Sequence, residues 1–339
     1  MIICKDAKNF TGEELIGFLI ASMECQNSCV FCGADKIGSG KHLDFKTAQT
    51  QLQDWRNYGA KQLIVSGGEP LQNPELKDIL AFARELKYSK ITLYTTANFE
   101  DTSFGLDVLK YVDIMMVSIF GKNEKKHDSI ARNRGSFKKT IHGIIDSSKT
   151  DTKVSINTPV NRSNIDDLHQ TMDLIESLPD NVFGWQLGDV HPTLEAKKRK
   201  NLRVSYVETG ERVRSILCRA RTSRLAVLTQ EFPLCIISPW LLEAQELVKV
   251  SKEIFVSGSK YNSTLYDFVR PLSSRSKTYL KSCDECSLKG ICKGISTSYA
   301  EDADIDYELN PIDELSVEAL IQSASSRWSK VKADLGLIF

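Results

Sequence analysis

Hydrophobic and polar residues along the first two thirds of the chain follow two alternating patterns. Short apolar runs, typical of buried strands, are followed by longer segments in which apolar residues recur at helical spacing. The predicted strands cover residues 15–23, 61–66, 90–96, 113–119, 153–158 and 182–187. The predicted helices cover residues 44–58, 74–87, 105–112, 136–148 and 165–178. This alternation predicts a parallel α/β sheet, which could form an open barrel or a doubly wound sheet.

The pattern changes after about residue 193. Residues 225–229 and 253–257 look like short strands of a smaller unit, and residues 301–314 are acidic. We therefore expect an α/β domain over residues 1–224 and a second, smaller α+β domain over residues 225–339. Parallel α/β sheets place their chemistry at the carboxyl ends of their strands, so functional residues are expected at that edge.

Composition narrows the class of protein. The chain has 339 residues, of which 41% are hydrophobic, and no run approaches the roughly 20 apolar residues of a membrane span. The N-terminal residues lack the basic and apolar regions of a secretory signal. Nine cysteines in such a chain predict a reducing, cytoplasmic location and a use in metal or redox chemistry.

Overall charge does not identify a partner, because 44 basic residues balance 44 acidic ones. One local stretch is strongly basic: residues 197–224 hold ten Lys and Arg against two Glu. A solvated helix face is the simpler interpretation. The alternative is a docking surface for an acidic electron donor or an anionic substrate.

Three cysteines follow the first predicted strand in a single loop. Cys25, Cys29 and Cys32 have the spacing C-x3-C-x2-C. Three thiolates can hold three irons of a [4Fe–4S] cluster and leave the fourth iron open to a ligand. A structural zinc site needs a fourth ligand, which this loop lacks. Zinc with a distant ligand, or three unrelated cysteines, stay open as alternatives.

A second motif follows the second predicted strand. Residues 62–66 run into Gly67-Gly68-Glu69. This tripeptide and the cysteine spacing, with Phe31 directly before the third cysteine, resemble the two signatures of the radical S-adenosylmethionine (radical SAM) enzymes. The resemblance spans roughly residues 15–225 and implies a partial (β/α)6, TIM-like barrel.

The resemblance also implies what these residues bind. A [4Fe–4S] cluster on Cys25, Cys29 and Cys32 would bind the methionine part of SAM through its open iron and cleave it reductively to a 5′-deoxyadenosyl radical, a one-electron step that side chains cannot perform. Gly67 and Gly68 would let the backbone approach the ligand closely. Glu69 would accept a hydrogen bond from the ammonium group of SAM.

Further cofactor contacts are expected at the ends of later strands. Residues 117–121, with His127-Asp128, Arg132 and residues 135–137, resemble the fourth-strand segment of peptide-modifying radical SAM enzymes. The set of cofactor contacts implied by the resemblance is Phe31, Gly67, Gly68, Glu69, Asn98, Ser118, Asn157 and Leu187. Ser118 and Asn157 would bond SAM and Leu187 would pack on adenine, although such residues also serve as ordinary parts of strand ends. His127 and Asp128 are expected to order a loop.

The C-terminal part of the chain carries a second cysteine motif. Cys283, Cys286 and Cys292 have the spacing C-x2-C-x5-C, which resembles the auxiliary-cluster motif of the SPASM and Twitch extensions of radical SAM enzymes. The cysteine count permits one auxiliary [4Fe–4S] cluster. Cys235 is the expected fourth ligand and Cys218 the alternative. Four thiolates would suit zinc equally well.

Two cysteines are then left over, Cys4 and Cys218. Free cysteines are usually inert, but Cys218 lies in an Arg-rich helical stretch that could activate its thiol. Its catalytic interpretation is the return of a hydrogen atom to a substrate radical.

The function implied by these resemblances is radical oxidation of an unactivated carbon, as a crosslink or dehydrogenation, most simply of a peptide in natural-product biosynthesis. About twenty residues precede the first motif, which we expect to be too few for an attached leader-peptide-binding domain. The implied partners are a flavodoxin- or ferredoxin-type electron donor and the substrate, with no membrane.

Alternatives stay open. The first is a dehydrogenase or epimerase of a small molecule such as a sugar or aminocyclitol, and the second is a tRNA-modifying radical SAM enzyme. A zinc-dependent nucleic-acid-binding protein, using residues 197–224 as its basic footprint, is the alternative from another class, but it leaves the Gly-Gly-Glu motif unexplained.

Overall fold

A computed structural model gives the fold of this chain. It describes residues 15–32, 42–190, 200–244, 254–261, 264–271, 277–289, 292, 294–300, 309 and 311–312. Cys4, the basic residues 197–199 and most of the acidic stretch 301–314 lie outside the described residues. No helix in the described part of the chain is both long and apolar enough to cross a membrane.

The main element is a nine-stranded sheet. Its strands, in chain order, are β1 (Leu15–Ser22), β2 (Gln62–Gly67), β3 (Lys90–Thr95), β4 (Ile114–Ser118), β5 (Lys153–Val160), β6 (Val182–Asp189), β7 (Ala226–Gln230), β8 (Ile254–Tyr261) and β9 (Thr264–Pro271). The spatial order is β7-β6-β5-β4-β3-β2-β1-β8-β9. Strands β1 to β8 pair in parallel, and β9 pairs antiparallel with β8. The predicted parallel α/β architecture is therefore confirmed.

Helices lie between consecutive parallel strands of the large sheet, except for the last one, which is near the C-terminal end of the described residues. They are α1 (Phe45–Asn57), α2 (Leu76–Glu85), α3 (Thr102–Leu109), α4 (Glu124–Ala131), α5 (Ser136–Ser147), α6 (Leu168–Glu176), α7 (Tyr206–Ala220), α8 (Leu234–Ile237) and α9 (Thr297–Ala300). A second, two-stranded sheet pairs β10 (Lys277–Thr278) antiparallel with β11 (Ile295–Ser296). Buried side chains of β1–β7 and of the packed helices form one hydrophobic core.

Local capping explains why one helix begins three residues earlier than predicted. The helix predicted over residues 105–112 lies at Thr102–Leu109, because the carboxylate of Asp101 accepts hydrogen bonds from the amides of Ser103 and Phe104 and starts the helix there. Helix α4 was not predicted at all. Its sequence is mostly polar, and its N-terminus depends on the Asn123 side chain, which accepts from the amide of Lys126.

The structure also assigns the two later strands differently. The strands predicted at residues 225–229 and 253–257 correspond to β7 and β8, which begin at Ala226 and Ile254, but both join the large sheet instead of a smaller unit. β7 extends the sheet next to β6, and β8 covers the other edge by pairing with β1. The boundary predicted at residue 224 thus falls within a continuous sheet, and the division into two domains stays a prediction.

Candidate functional site

The cysteine loop begins where β1 ends, at Ser22, at the carboxyl edge of the sheet. Burial raises the pKa of the Cys29 thiol, and the charges of Cys32 and Cys25 act in the same direction. In the described residues, however, no three Cys, His, Asp or Glu side chains are arranged as a ready metal site. The three thiols thus lie in one loop at the carboxyl edge of the sheet, and their binding of a cluster stays a prediction.

The same loop is bonded to helix α4. The amide of Ser28 donates to the carbonyl oxygen of Ala131 at 3.0 Å, and the amide of Val30 donates to that of Ile130 at 2.9 Å. The last turn of α4 has free carbonyl oxygens, because a helix leaves its final four unpaired. The unpredicted helix is therefore part of the support for the cysteine motif.

The Gly-Gly-Glu motif contacts the start of the cysteine loop through its backbone. The amide of Gly68 donates to the carbonyl oxygen of Ser22 at 2.7 Å. A Cβ atom on Gly67 would lie 2.1 Å from that same oxygen, and one on Gly68 would lie 2.3 Å from the carbonyl oxygen of Glu24. Gly67 also has φ +143°, a conformation that side chains disfavour. The glycines are thus required for the two loops to meet.

Glu69 is fully buried and bonded within the protein. Its carboxylate accepts from the amide and hydroxyl of Thr96 at 2.7 and 2.6 Å, from the hydroxyl of Thr95 at 2.6 Å and from the amide of Leu71 at 3.1 Å. Burial raises the pKa of Glu69, whereas these donors act in the opposite direction. Its observed role is to join the ends of β2 and β3. The expected contact with the ammonium group of SAM stays a prediction.

Unsatisfied amide groups lie beside this junction. Asn98 is only 4% exposed, and neither its side-chain oxygen nor its side-chain nitrogen has a hydrogen-bond partner among the described residues. Gln26 donates to the hydroxyl of Thr96 at 2.8 Å, and its own side-chain oxygen is buried without a partner. Buried polar atoms usually have partners, so these are fitting positions for a polar ligand. Asn98 and Glu24 also line a cleft of about 470 Å³.

The remaining predicted contacts follow the next three strands. Ser118, the last residue of β4, is in register with Asn157 on β5, and both are half-buried. Leu187 on β6 is fully buried in the main hydrophobic core. The structure therefore brings Ser118 and Asn157 together at the same sheet edge as the two motifs, while Leu187 packs inside the protein. Their roles toward SAM stay predictions.

A polar group that the sequence analysis missed lies at the ends of β6 and β7. Asp189 ends β6, and its Oδ2 atom is buried without a partner among the described residues. Burial raises the pKa of Asp189 to about 7, with Lys277 acting in the opposite direction. The sequence did point to Asp189, because this acidic residue lies two residues beyond the predicted strand and so at its carboxyl end.

The same corner contains a buried ion pair that joins the sheet to the C-terminal part of the chain. The ammonium group of Lys277 on β10 lies 3.2 Å from the carboxylate of Glu231 and donates to the Glu231 carbonyl oxygen at 2.9 Å. The Lys277 and Glu231 side chains are 9% and 12% exposed. On the neighbouring strand ends, the side chain of Gln186 donates to that of Gln230. These contacts form a polar wall beside Asp189.

The C-terminal cysteines come together with the predicted fourth member of their set. One cavity is lined by all four thiols, Cys235, Cys283, Cys286 and Cys292. The sulfur of Cys286 accepts a hydrogen bond from the amide of Ile312 at 3.5 Å, and burial raises the pKa of Cys292. The apolar residues that flank Cys235 are buried, as expected: Phe232, Leu234, Ile236 and Ile237.

Cys218 lies elsewhere. It is an exposed residue near the C-terminal end of α7 and is not among the residues that line the cavity of the four thiols. The structure thus favours Cys235 as the member of this set. The catalytic role of Cys218 stays a prediction that no contact in the described residues supports.

The arginines of the basic stretch are used within the protein. Arg219 pairs with Asp173 and Glu176, and Arg212 pairs with Asp166. Arg214 and Arg224 donate to backbone carbonyl oxygens, and Arg203 and Arg221 stack over the rings of Tyr299 and Trp240. These contacts favour the structural interpretation of the described part of this stretch over a docking surface.

Comparison with known proteins finds matches to the first part of the chain. Residues 19–175 match the family model of the Radical SAM superfamily. An AdoMet-dependent heme synthase of Methanosarcina barkeri is 27% identical over 158 residues, which are 45% of each chain. A PqqA peptide cyclase of Ruegeria pomeroyi is 27% identical over 157 residues, which are 44% of this chain and 41% of that protein. The chain thus matches less than half the length of these curated relatives.

A solved structure extends the likeness in fold to almost the whole chain. Streptococcus suis SuiB bound to the precursor peptide SuiA superposes with a TM-score of 0.61. The superposition covers 91% of this chain and 77% of SuiB at 16% sequence identity. At that identity the comparison establishes the fold alone.

Proposed function

We propose that this chain, an enzyme with a radical SAM domain over residues 19–175, oxidatively modifies a peptide with the help of one auxiliary [4Fe–4S] cluster. The observation that carries the proposal is the junction of the two motifs. The loop of Cys25, Cys29 and Cys32 is bonded to the Gly-Gly-Glu turn at the carboxyl edge of a parallel sheet, where such folds hold their active sites.

The residues present fit the cofactors of the superfamily. Three thiols in one loop match a cluster with one open iron, which is the donor set that SAM requires. The glycine backbone at Gly67 and Gly68 leaves no room for side chains between the two loops. The unpartnered side-chain amide of Asn98 and the unpartnered side-chain oxygen of Gln26 supply polar groups for the ligand. When bound, the cluster and SAM together supply a 5′-deoxyadenosyl radical that removes a hydrogen atom from the substrate.

The C-terminal thiols are proposed to hold the auxiliary cluster. Cys235, Cys283, Cys286 and Cys292 line one cavity, so four protein ligands are at hand and no iron needs an outside ligand. The residues on either side of Cys235 are buried, so this side of the site is apolar. Full ligation in an apolar surrounding suits electron transfer, and the bond from the amide of Ile312 to the Cys286 sulfur would help to set the potential.

Asp189 is proposed to face the substrate. Its carboxyl group lies at the end of β6, and the Lys277–Glu231 pair beside it connects this edge of the sheet to the strand that precedes the auxiliary thiols. A buried carboxylate with an unpartnered oxygen suits a substrate that donates an N–H or O–H hydrogen bond. Because the pKa of Asp189 is about 7, the group can also take up a proton near neutral pH.

A peptide is the substrate class that the comparisons favour. The similar PqqA peptide cyclase is named for a peptide, and SuiB, which is similar in fold, was solved with a bound precursor peptide. The similar heme synthase supports the second candidate, oxidation of a small molecule. Both classes offer the N–H or O–H donor that Asp189 requires.

The test of substrate class uses the reconstituted protein with SAM, reductant and short peptides encoded beside its gene. We expect a peptide product that has lost two hydrogen atoms, detected by mass spectrometry. The control is the triple variant Cys283→Ala/Cys286→Ala/Cys292→Ala. It should still cleave SAM but yield no such product. If the peptides stay unmodified and the enzyme instead oxidises a small molecule whose biosynthetic genes lie in the same cluster, the second candidate is favoured.

A further inference from the structure

We propose that His127 is a positioning residue for SAM binding, acting through Phe120 on Phe31. The inference rests on the proposed function and on the contact with SAM that the sequence resemblance implies for Phe31, the residue directly before the third cysteine. His127 lies on α4, the helix to which the cysteine loop is bonded. It has no exposed surface to offer a substrate, since its side chain is 1% exposed.

A chain of ring contacts connects His127 to the cysteine loop. The His127 ring stacks on the Phe120 ring, with centroids 4.9 Å apart and an interplanar angle of 27°. The Phe120 ring in turn meets the Phe31 ring edge to face at 5.3 Å. Cys29, Val30 and Phe31 pack against the buried cluster that contains Phe120. A change at His127 therefore reaches the loop through only one intervening side chain.

A hydrogen bond fixes the middle member of this chain. The backbone amide of Phe120 donates to the Nδ1 atom of His127 at 3.2 Å. This bond requires an imidazole that is unprotonated at Nδ1, and burial supports that state by lowering the pKa of His127 to about 4. Phe120 follows Ser118 at the end of β4, so the bond also fixes the backbone just beyond a predicted SAM contact.

The junction of α4 and α5 holds His127 from the other side. The Phe137 ring meets the His127 ring at 5.6 Å. The carboxylate of Asp128 accepts from the amides of Gly135 and Phe137 at 2.6 and 2.8 Å and from the hydroxyl of Ser136 at 2.9 Å. The two helices are thus tied together by the residue next to His127, which leaves the imidazole little freedom to move.

The polar end of the loop is fixed separately. The side chain of Asn133 donates to the side-chain oxygen of Asn27 at 2.8 Å, and the amides of Ser28 and Val30 bond to α4. These bonds determine where the loop lies, and the ring contacts determine how Phe31 is oriented on it. Loss of His127 should therefore leave the loop attached but allow Phe31 to reorient, which would weaken SAM binding before it prevents cluster assembly.

The experiment measures SAM affinity from the change that SAM causes in the electron paramagnetic resonance spectrum of the reduced, reconstituted protein. His127→Ala and His127→Asn both remove the ring, and we expect each to weaken SAM affinity by about tenfold, since small misplacements of positioning groups have effects of this order or larger. His127→Phe keeps a ring but loses the acceptor. The His127→Phe variant should have a SAM affinity close to that of wild type, but its thermal stability should be lower than that of wild type.

Two controls separate positioning from general destabilisation. Met172→Ala removes a fully buried side chain from α6, outside the ring contacts, and should lower thermal stability without changing SAM affinity. His169→Ala removes a histidine whose ring bonds Ser215 at 3.0 Å on the outside of the protein, and should change neither thermal stability nor SAM affinity.

A double-variant comparison tests the chain of ring contacts. Phe120→Leu should weaken SAM affinity as His127→Ala does. The double variant should be little weaker than either single variant, because both changes act on Phe31.

The outcomes are distinguishable. If His127→Ala lowers thermal stability as Met172→Ala does but keeps wild-type SAM affinity and the wild-type spectral change, the inference is wrong and His127 is only structural. If His127→Phe is as weak in SAM affinity as His127→Ala, the ring contact is not the cause. If wild type itself shows no spectral response to SAM, the proposed function is wrong, and the inference about His127 is wrong as well.

Discussion

The amide nitrogen of Gly68 lies 2.7 Å from the carbonyl oxygen of Ser22. This bond joins the end of β2, which carries the Gly-Gly-Glu motif, to the end of β1, from which the cysteine loop starts. The next bond along, from the amide of Glu69 to the carbonyl oxygen of Glu24, has a length of 2.6 Å. Two motifs that lie about forty residues apart in the sequence are therefore one structural unit.

The first prediction concerns Gly68→Ala. The new Cβ would lie 2.3 Å from the carbonyl oxygen of Glu24, so the backbone of one loop must move. We expect a loss of about 1–3 kcal/mol in stability from this overpacking. The variant should also hold about four irons fewer than wild type after reconstitution, because the loop of Cys25 is displaced.

Gly188→Ala is the matched control for that measurement. Gly188 lies on β6 near the same edge of the sheet, and a Cβ atom there would meet nothing within 4 Å. Iron content and thermal stability of Gly188→Ala should match wild type. A Gly68→Ala protein that keeps its full iron content would show that the backbone junction is not needed for the cluster.

The second prediction concerns Glu69→Gln. The substitution keeps one acceptor oxygen but replaces the other with an NH2 group, which leaves two of the four donors to this side chain without an acceptor. We expect a loss of about 1–3 kcal/mol, measured by urea unfolding. Glu75→Gln is the control, since the Glu75 carboxylate accepts from Phe45 in an exposed position. If Glu69→Gln instead loses SAM affinity at unchanged stability, the carboxylate acts on the ligand directly.

Much of the fold could be predicted from the sequence because buried parallel strands and amphipathic helices leave strong periodic signals. The strands at residues 61–66 and 182–187 and the helix at residues 136–148 were placed within one or two residues of their observed bounds. Helix α4 was missed because its sequence is mostly polar. Joining β7 and β8 to the large sheet depends on long-range strand pairing, which no local pattern reveals.

The site was predictable where spacing encodes the chemistry. The four thiols of Cys235, Cys283, Cys286 and Cys292 line one cavity, as the sequence analysis expected. Three of the four hydrogen bonds to Glu69 could not be predicted, because their donors, on Thr95 and Thr96, lie at the end of a different strand. The position of Asp189 at a strand end could have been noted from the sequence, but its raised pKa could not, because it depends on burial and on Lys277 and Glu231, which are far from it in sequence.

The third prediction uses the raised pKa of Asp189, about 7 against an ordinary value of 3.8. Between these two pH values the unfolded chain has lost the Asp189 proton that the folded protein keeps, so this group lowers stability as pH rises. Asp189→Asn lacks the effect. Its stability relative to wild type should therefore increase from about pH 4 to about pH 7 and then level off, in thermal melts measured across that range.

An Asp189→Asn stability difference that stays constant with pH would contradict a raised pKa. A second readout is direct: the carboxyl carbon of Asp189, followed by nuclear magnetic resonance in carbon-13-labelled protein, should titrate near neutral pH. A normal acidic titration there would remove the proposed role of Asp189 as a proton acceptor.

The fourth prediction separates Cys235 from Cys218. Anaerobically reconstituted wild type should hold about eight irons per chain, as two clusters of four. Cys235→Ala should lose or weaken the auxiliary cluster, because its thiol lines the same cavity as the other three. Cys218→Ala should keep about eight irons, since that thiol is exposed on α7. About four irons and one zinc in wild type would reject the auxiliary cluster altogether.

The measurement that tests the central claim most directly is the reductive cleavage of SAM by the reconstituted protein. With a strong reductant, wild type should convert SAM to methionine and 5′-deoxyadenosine, quantified by chromatography. Cys25→Ala/Cys29→Ala/Cys32→Ala should yield none, yet keep about four irons in the auxiliary cluster. Wild-type amounts of 5′-deoxyadenosine from that triple variant would contradict the assignment of these thiols as the ligands of the SAM-binding cluster.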